Sequence, residues 1–220
     1  MPRPGEITLA HHGVLFLDEL TEFQRSTLDV LREPMEAGEI HIARAARQSR
    51  FPARFQLIAA MNPTPGGYGA DDARSQRYSP DQLRRYLSRL SGPFLDRLDL
   101  YVEVPAVPPE VLQARSPGEP TETVQARVQA AWARQIARQG CRNHELNSSR
   151  LADMGVMAKE ERDQLIGLSR KLKLSARAQH RIERVALTLV DLEQADRIGK
   201  AHLMEAINLR QLDRLGLGSA

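Results

Sequence analysis

A single cysteine, Cys141, is all the sequence contains; this excludes an intrachain disulfide framework and fits a reducing compartment. Aromatic side chains are scarce at 5%, with one tryptophan, Trp132, and four tyrosines, too few to argue for a base-stacking platform. No stretch reaches the roughly 20 apolar residues that span a bilayer. Met1-Pro2-Arg3-Pro4-Gly5 opens the chain without the apolar core of a signal peptide. A cytoplasmic location with no membrane partner is therefore expected. An excess of one charge sign is missing too. Thirty-one Lys+Arg against 28 Asp+Glu leave +3, which permits a nucleic-acid partner without arguing for one. The six histidines are scattered, and His11-His12 has no nearby third ligand to complete a zinc set.

With 220 residues, 41% hydrophobic and 27% charged, the chain can bury a sizeable core and reads as one or two globular domains. Val14-Leu15-Phe16-Leu17 is a continuous apolar run ending in Asp18-Glu19, the pattern of a strand buried on both faces of a parallel sheet. Its acids fall at the C-terminal strand edge, where open α/β sheets place their ligands. Thr21 is a candidate N-cap for a helix carrying Leu28 and Leu31 and stopping near Gly38, with Pro34 able to kink or end it earlier.

Two β-prone pieces follow, over 39–42 and 54–60, joined by a basic segment with Arg44, Arg47 and Arg50. The second ends in Met61-Asn62-Pro63-Thr64-Pro65-Gly66-Gly67, which must leave the sheet as loop, so Asn62 also lies at a strand edge. The stretch 79–90 is helical in pattern, Ser91-Gly92-Pro93 breaks it, and 98–104 alternates like a last strand. Prolines then crowd 105–120, and nearly everything after Thr121 is helix-patterned, with Leu165, Leu168 and Leu172 at helical spacing.

A strand ending in Asp-Glu suits nucleotide hydrolysis: Asp18 can hold Mg²⁺ through water while Glu19 polarises the attacking water. The alternative is a strand that ends in two solvated carboxylates. Asn62, on a second strand end, can orient the same water or touch a γ-phosphate without altering charge balance; alone, Asn before Pro is a turn former.

These segments also resemble a known family, the magnesium-chelatase-like ring ATPases of the AAA+ class, and in particular their ComM/YifB group. The matching phrases are Pro4-Gly5-Glu6-Ile7, Gly13 to Leu20 (GVLFLDEL), Leu31 to Gly38 (LREPMEAG), Phe55 to Pro63 (FQLIAAMNP), Ser91 to Leu100 (SGPFLDRLDL) and Leu174 to Arg181 (LSARAQHR). The resemblance covers almost the whole chain. It implies an α/β plus all-α architecture. Residues 1–108 would be the C-terminal strands of a partial P-loop AAA+ parallel-sheet core, and 109–220 a helical lid domain.

By that resemblance Asp18-Glu19 is the Walker B pair and Asn62 sensor 1. Arg97 is the arginine finger that reaches a nucleotide held by the adjacent subunit, where a guanidinium neutralises charge on the γ-phosphoryl oxygens. The other reading of Arg97 is an ordinary ion pair with Asp96 or Asp99. Arg177 resembles the sensor 2 arginine of the lid, with Arg181 and Arg184 as alternatives along the same helix face. The basic segment resembles a hairpin inserted before sensor 1, which would make Arg44, Arg47 and Arg50 candidates for contact with DNA phosphates; edge protection by exposed charge explains it as well. The cysteines that this group commonly carries before the Ser-Gly-Pro motif are absent from Asp71-Asp72-Ala73-Arg74-Ser75-Gln76-Arg77-Tyr78.

The implied function is an ATP- and Mg²⁺-dependent motor, a homo-oligomeric and hexameric ring acting helicase-like on branched DNA in recombination during natural transformation. The alternatives are a chelatase motor driving Mg²⁺ insertion into a porphyrin, and a non-catalytic module of mixed rings that offers Arg97 to a neighbour. A phosphate-cradling G-x-x-x-x-G-K-[ST] loop is missing: Gly66-Gly67-Tyr68-Gly69 has no following Lys-Ser/Thr and sits after the wrong strand. The resemblance places that loop, and a domain resembling the Lon protease catalytic fold, upstream of Met1. A truncated form is therefore expected, one that alone neither binds ATP tightly nor hydrolyses it.

Overall fold

The computed structural model describes residues 3–44, 47–67, 77–114 and 117–210, which divide into two compact units meeting in sequence at Leu98 and Asp99. In the first, α1 (Glu6–Leu9) leads into β1 (Val14–Leu17), a 3-10 turn (Leu20–Glu22), α2 (Arg25–Val30) and α3 (Arg32–Ala37). Then come β2 (Glu39–Arg44), β3 (Arg47–Pro52), β4 (Gln56–Ala59), α4 (Pro80–Leu87) and α5 (Gly92–Leu95). β1 and β4 form a two-stranded parallel sheet in the register Val14↔Gln56 to Leu17↔Ala59. β2 and β3 form an antiparallel hairpin in the crossover between them. The basic segment is thus itself a strand, with Arg44 opposite Arg47 and His41 opposite Arg50.

Three sequence expectations need correction, and the helix expected to stop near Gly38 is narrowed by the break that Pro34 allowed. β1 is not buried on both faces: Leu15 and Leu17 point inward, while Val14 and Phe16 are 52% and 58% exposed, because the described chain covers one face of this sheet. The helix expected from Thr21 to Gly38 is two helices. Pro34 has no N–H to return to the Val30 carbonyl, so α2 ends there and α3 restarts at Arg32, to be closed by Gly38 in the left-handed region at φ +70°. Thr21 does not cap α2; it lies buried in the 3-10 turn. Finally, 98–104 is not a strand. Val104 is 83% exposed, no strand pairing is assigned over this stretch among the described residues, and Tyr101 N donates instead to Leu209 O at 2.6 Å, beyond the end of a helix.

The second unit is helical, with α6 (Pro109–Ala114), α7 (Thr121–Gln139), α8 (Ser148–Asp153), α9 (Lys159–Lys171), α10 (Ala176–Leu192) and α11 (Lys200–Asn208). α10 is its axis, burying Ile182, Ala186, Leu187 and Val190 among Leu165 of α9 and Leu203 and Ile207 of α11. This is the apolar stripe of a core-facing amphipathic helix. Asp191 adds a charged group to that core, 0% exposed, gripped by Arg138 Nη1 and Nη2 at 2.6 and 3.0 Å and by Asn143 Nδ2 at 2.8 Å. A buried carboxylate persists when its lone pairs are satisfied in this way.

Candidate active site

The parallel register brings the two strand ends to one edge. Ala60 continues the ladder by donating to Leu17 O at 2.8 Å, and its carbonyl accepts from Leu20 N at 2.9 Å. Asp18 and Glu19 are therefore looped out between two rungs held by one residue, which stands two positions before Asn62. Both acids are exposed. Asp18 Oδ1 accepts from Glu19 N at 2.9 Å, and Glu19 takes the left-handed conformation at φ +50°, ψ +49°, which is costly for a residue with a Cβ. Strain of this kind concentrates where a side chain has to be aimed.

Asn62 is exposed at the matching edge. Its loop folds back, with Gly67 N donating to Thr64 O at 3.0 Å. Gly67 lies beside the Asn62 amide at φ +76°, a left-handed conformation that glycine adopts without a Cβ penalty, although a Cβ there would meet the amide only at ordinary contact distance, 3.7 Å. α4 then fixes both edges. Ser79 and Gln82 form a reciprocal capping box at its start. One turn on, the buried Tyr86 donates its hydroxyl to Asn62 O at 3.1 Å and accepts from Thr21 Oγ1 at 2.7 Å. Arg89, in the turn just after α4, donates to Thr21 O at 2.7 Å and pairs with Glu22 at 3.2 Å. The sequence reading missed Tyr86 and Arg89. The available signal was a tyrosine at a core position of the 79–90 helical pattern, since a buried phenol needs a hydrogen-bond partner.

Arg97 is not turned outward. α5, capped by Ser91 Oγ on Phe94 N at 3.3 Å, buries Phe94 and Leu95. It leaves the Arg97 side chain 10% exposed and ion-paired with Glu36 at 3.1 Å. Its Nε donates to Arg32 O at 3.2 Å, and Nη1 donates to Pro93 O. Glu36 is a carboxylate that the sequence did not suggest for it; within the helical unit, Asp99 pairs with Arg181 at 2.5 Å. On the hairpin, Arg50 and His41 both reach Glu39, and the Arg50 hydrogen bond leads in holding the Glu39 carboxyl below its usual range. The side chains of Arg44 and Arg47 and the segment 71–76 lie outside the described residues.

In the helical unit, Arg177 is exposed in the first turn of α10. Arg181 is engaged by Asp99, and Arg184 donates to His144 O. Burial, chiefly, together with the charges of Arg181 and Arg210, lowers the Arg184 pKa, against the pull of Asp99.

The donor chemistry at the sheet edge fits magnesium. No group of three His, Cys, Asp or Glu able to hold a metal occurs among the described residues. A cation that keeps its waters and takes one or two carboxylates plus substrate phosphates is what Asp18 and Glu19 suit.

Two family models match the chain, the magnesium chelatase subunit ChlI over residues 1–112 and its C-terminal region over 118–210. The uncharacterized protein YifB of Escherichia coli is 49% identical over 98% of this chain. The competence protein ComM of Haemophilus influenzae is 47% identical over the same share. The chain spans 42% of the length of each of these relatives. With both units matched, it belongs to the magnesium-chelatase-like family, in the group that includes YifB and ComM.

Proposed function

We propose that the chain contributes the hydrolytic half of an AAA+ ATPase site in a ring motor that works on DNA. What carries this reading is the bracketing of Asp18-Glu19 by Ala60, which sets two acids and the Asn62 amide at one edge of a parallel sheet. Asp18 would hold the Mg²⁺, which when bound neutralises phosphate charge. Glu19 accepts a proton from water, and the neutral Asn62 amide orients that water without adding charge.

The triphosphate cradle is absent from these 220 residues, so the chain alone is expected to be inactive. Arg97, in the finger role, exchanges Glu36 for a phosphate held by a neighbouring subunit, which makes turnover depend on assembly into a homo-oligomeric, hexameric ring. Arg177, exposed at the start of α10, is the residue we assign to nucleotide sensing. Arg44 and Arg47 stand at opposed backbone positions of the hairpin, and we assign this basic segment to a contact with DNA phosphates.

The test is a chimera in which this chain replaces the matched region of the Escherichia coli relative. ATP hydrolysis stimulated by DNA supports the reading. Hydrolysis indifferent to DNA favours a chelatase motor, the activity named in the family models. Robust hydrolysis by the 220 residues alone, abolished by Glu19→Gln, would overturn the half-site.

A further inference from the structure

Arg97 brings a full positive charge into a setting that leaves its side chain 10% exposed. The contacts it makes there differ in kind. Nε donates to Arg32 O at 3.2 Å and Nη1 to Pro93 O; these neutral main-chain acceptors, on α3 and α5, set the direction of the guanidinium fork. Nη2 meets a carboxylate instead, Glu36 Oε1 at 3.1 Å. Arg32 and Glu36 stand one turn apart on α3, so one helix supplies both an oxygen that aims the fork and the charge that neutralises it. Glu36 is the more open partner, 38% exposed.

A guanidinium takes carboxylate and phosphate oxygens in the same planar geometry. Glu36 therefore gives Arg97 what a γ-phosphoryl group would give it, an anionic oxygen at hydrogen-bond distance from a terminal nitrogen. The pair is open enough on the Glu36 side to be exchanged, since a salt bridge in contact with water contributes little. It is still a contact of the resting state. An interaction made before the reaction and given up in the transition state raises the barrier by its own strength.

We propose that Glu36 is a phosphate stand-in that restrains Arg97 until a neighbouring subunit's nucleotide displaces it. Resting on the finger reading above, this makes Glu36 a positioning residue that acts through Arg97 and lowers the turnover of the assembled ring. A residue whose whole task was to join α3 to α5 would instead support turnover, because its loss would loosen the segment that carries Arg97.

The test is steady-state ATP hydrolysis by the chimera with Mg²⁺, with thermal midpoints taken on the same preparations. Glu36→Gln keeps the size and an acceptor oxygen but removes the charge. It is expected to raise kcat about 3- to 5-fold and to leave KM for ATP unchanged, because the nucleotide is cradled elsewhere. Glu36→Ala is a second measure that leaves Arg97 intact, with the same gain expected. In the double variant Glu36→Gln with Arg97→Lys the gain should vanish, since lysine keeps the charge but not the fork. A kcat that stays level or falls in both Glu36 variants assigns Glu36 a structural role and overturns the proposal. A gain that survives Arg97→Lys overturns it too, because Glu36 would then act through some other group. Arg97→Lys alone separates the two readings. If it lowers turnover at least ~10-fold while the Glu36 variants gain nothing, the restraint falls and the finger stands; if it leaves turnover unchanged, both fall.

Discussion

The Tyr86 hydroxyl stands between the two strand ends, donating to the Asn62 carbonyl at 3.1 Å while accepting from the buried Thr21 at 2.7 Å. Asn62 and the segment just after the acids are thereby tied to one atom on α4. Tyr86→Phe leaves the Thr21 hydroxyl buried without its acceptor, at a cost of about 1–3 kcal/mol, to be read from denaturant unfolding. In the chimera the same change is expected to lower kcat more than it raises KM for ATP, because it loosens Asn62, the residue proposed to orient water.

Glu19 should be worth more to function than to the fold. Its left-handed backbone is relieved by Glu19→Gly, which is expected to stabilise the chain by about 1 kcal/mol. A thermal melt that moves down would mean that the Glu19 side chain is needed to hold the edge together.

The helical unit has its own test in Asp191. Arg138→Met removes the bidentate partner of a fully buried carboxylate and should cost about 3–5 kcal/mol. A drop well below that range would show water or Arg134, 3.9 Å away, taking over the charge.

Acid should weaken the fold through His180. Burial, first, and then the adjacent Arg184 hold its pKa below the ordinary 6.5 against the opposing pull of Glu183 and the Asn147 backbone, with Arg181 adding the smallest push downward. The unfolded chain therefore binds a proton that the folded one refuses. Stability carried by the neutral ring is complete above pH 6.5 and declines as pH falls from there through the lower folded value. His180→Gln should flatten that part of the stability profile, measured by chemical unfolding at a series of pH values.

The placement of the candidate site's strand ends was legible because it is local. An apolar run ending in Asp18-Glu19 and another ending in Asn62 can be read from period and punctuation, and parallel pairing then sets them on one edge. What escaped is set by distant partners. No pattern around Arg97 points to Glu36 and the Arg32 carbonyl, more than sixty positions away in the Arg32 case. Nothing around Tyr86 names Thr21. The alternation over 98–104 looked like a strand because alternation reports facing, whereas a strand also needs a neighbour to complete its hydrogen bonds.

The central claim, that Glu19 activates water on a site completed elsewhere, is tested most directly by Glu19→Gln in the chimera, with nucleotide binding and hydrolysis measured on the same preparation. The expected result is retained ATP binding with turnover reduced at least ~100-fold. Undiminished turnover with binding intact would contradict the account.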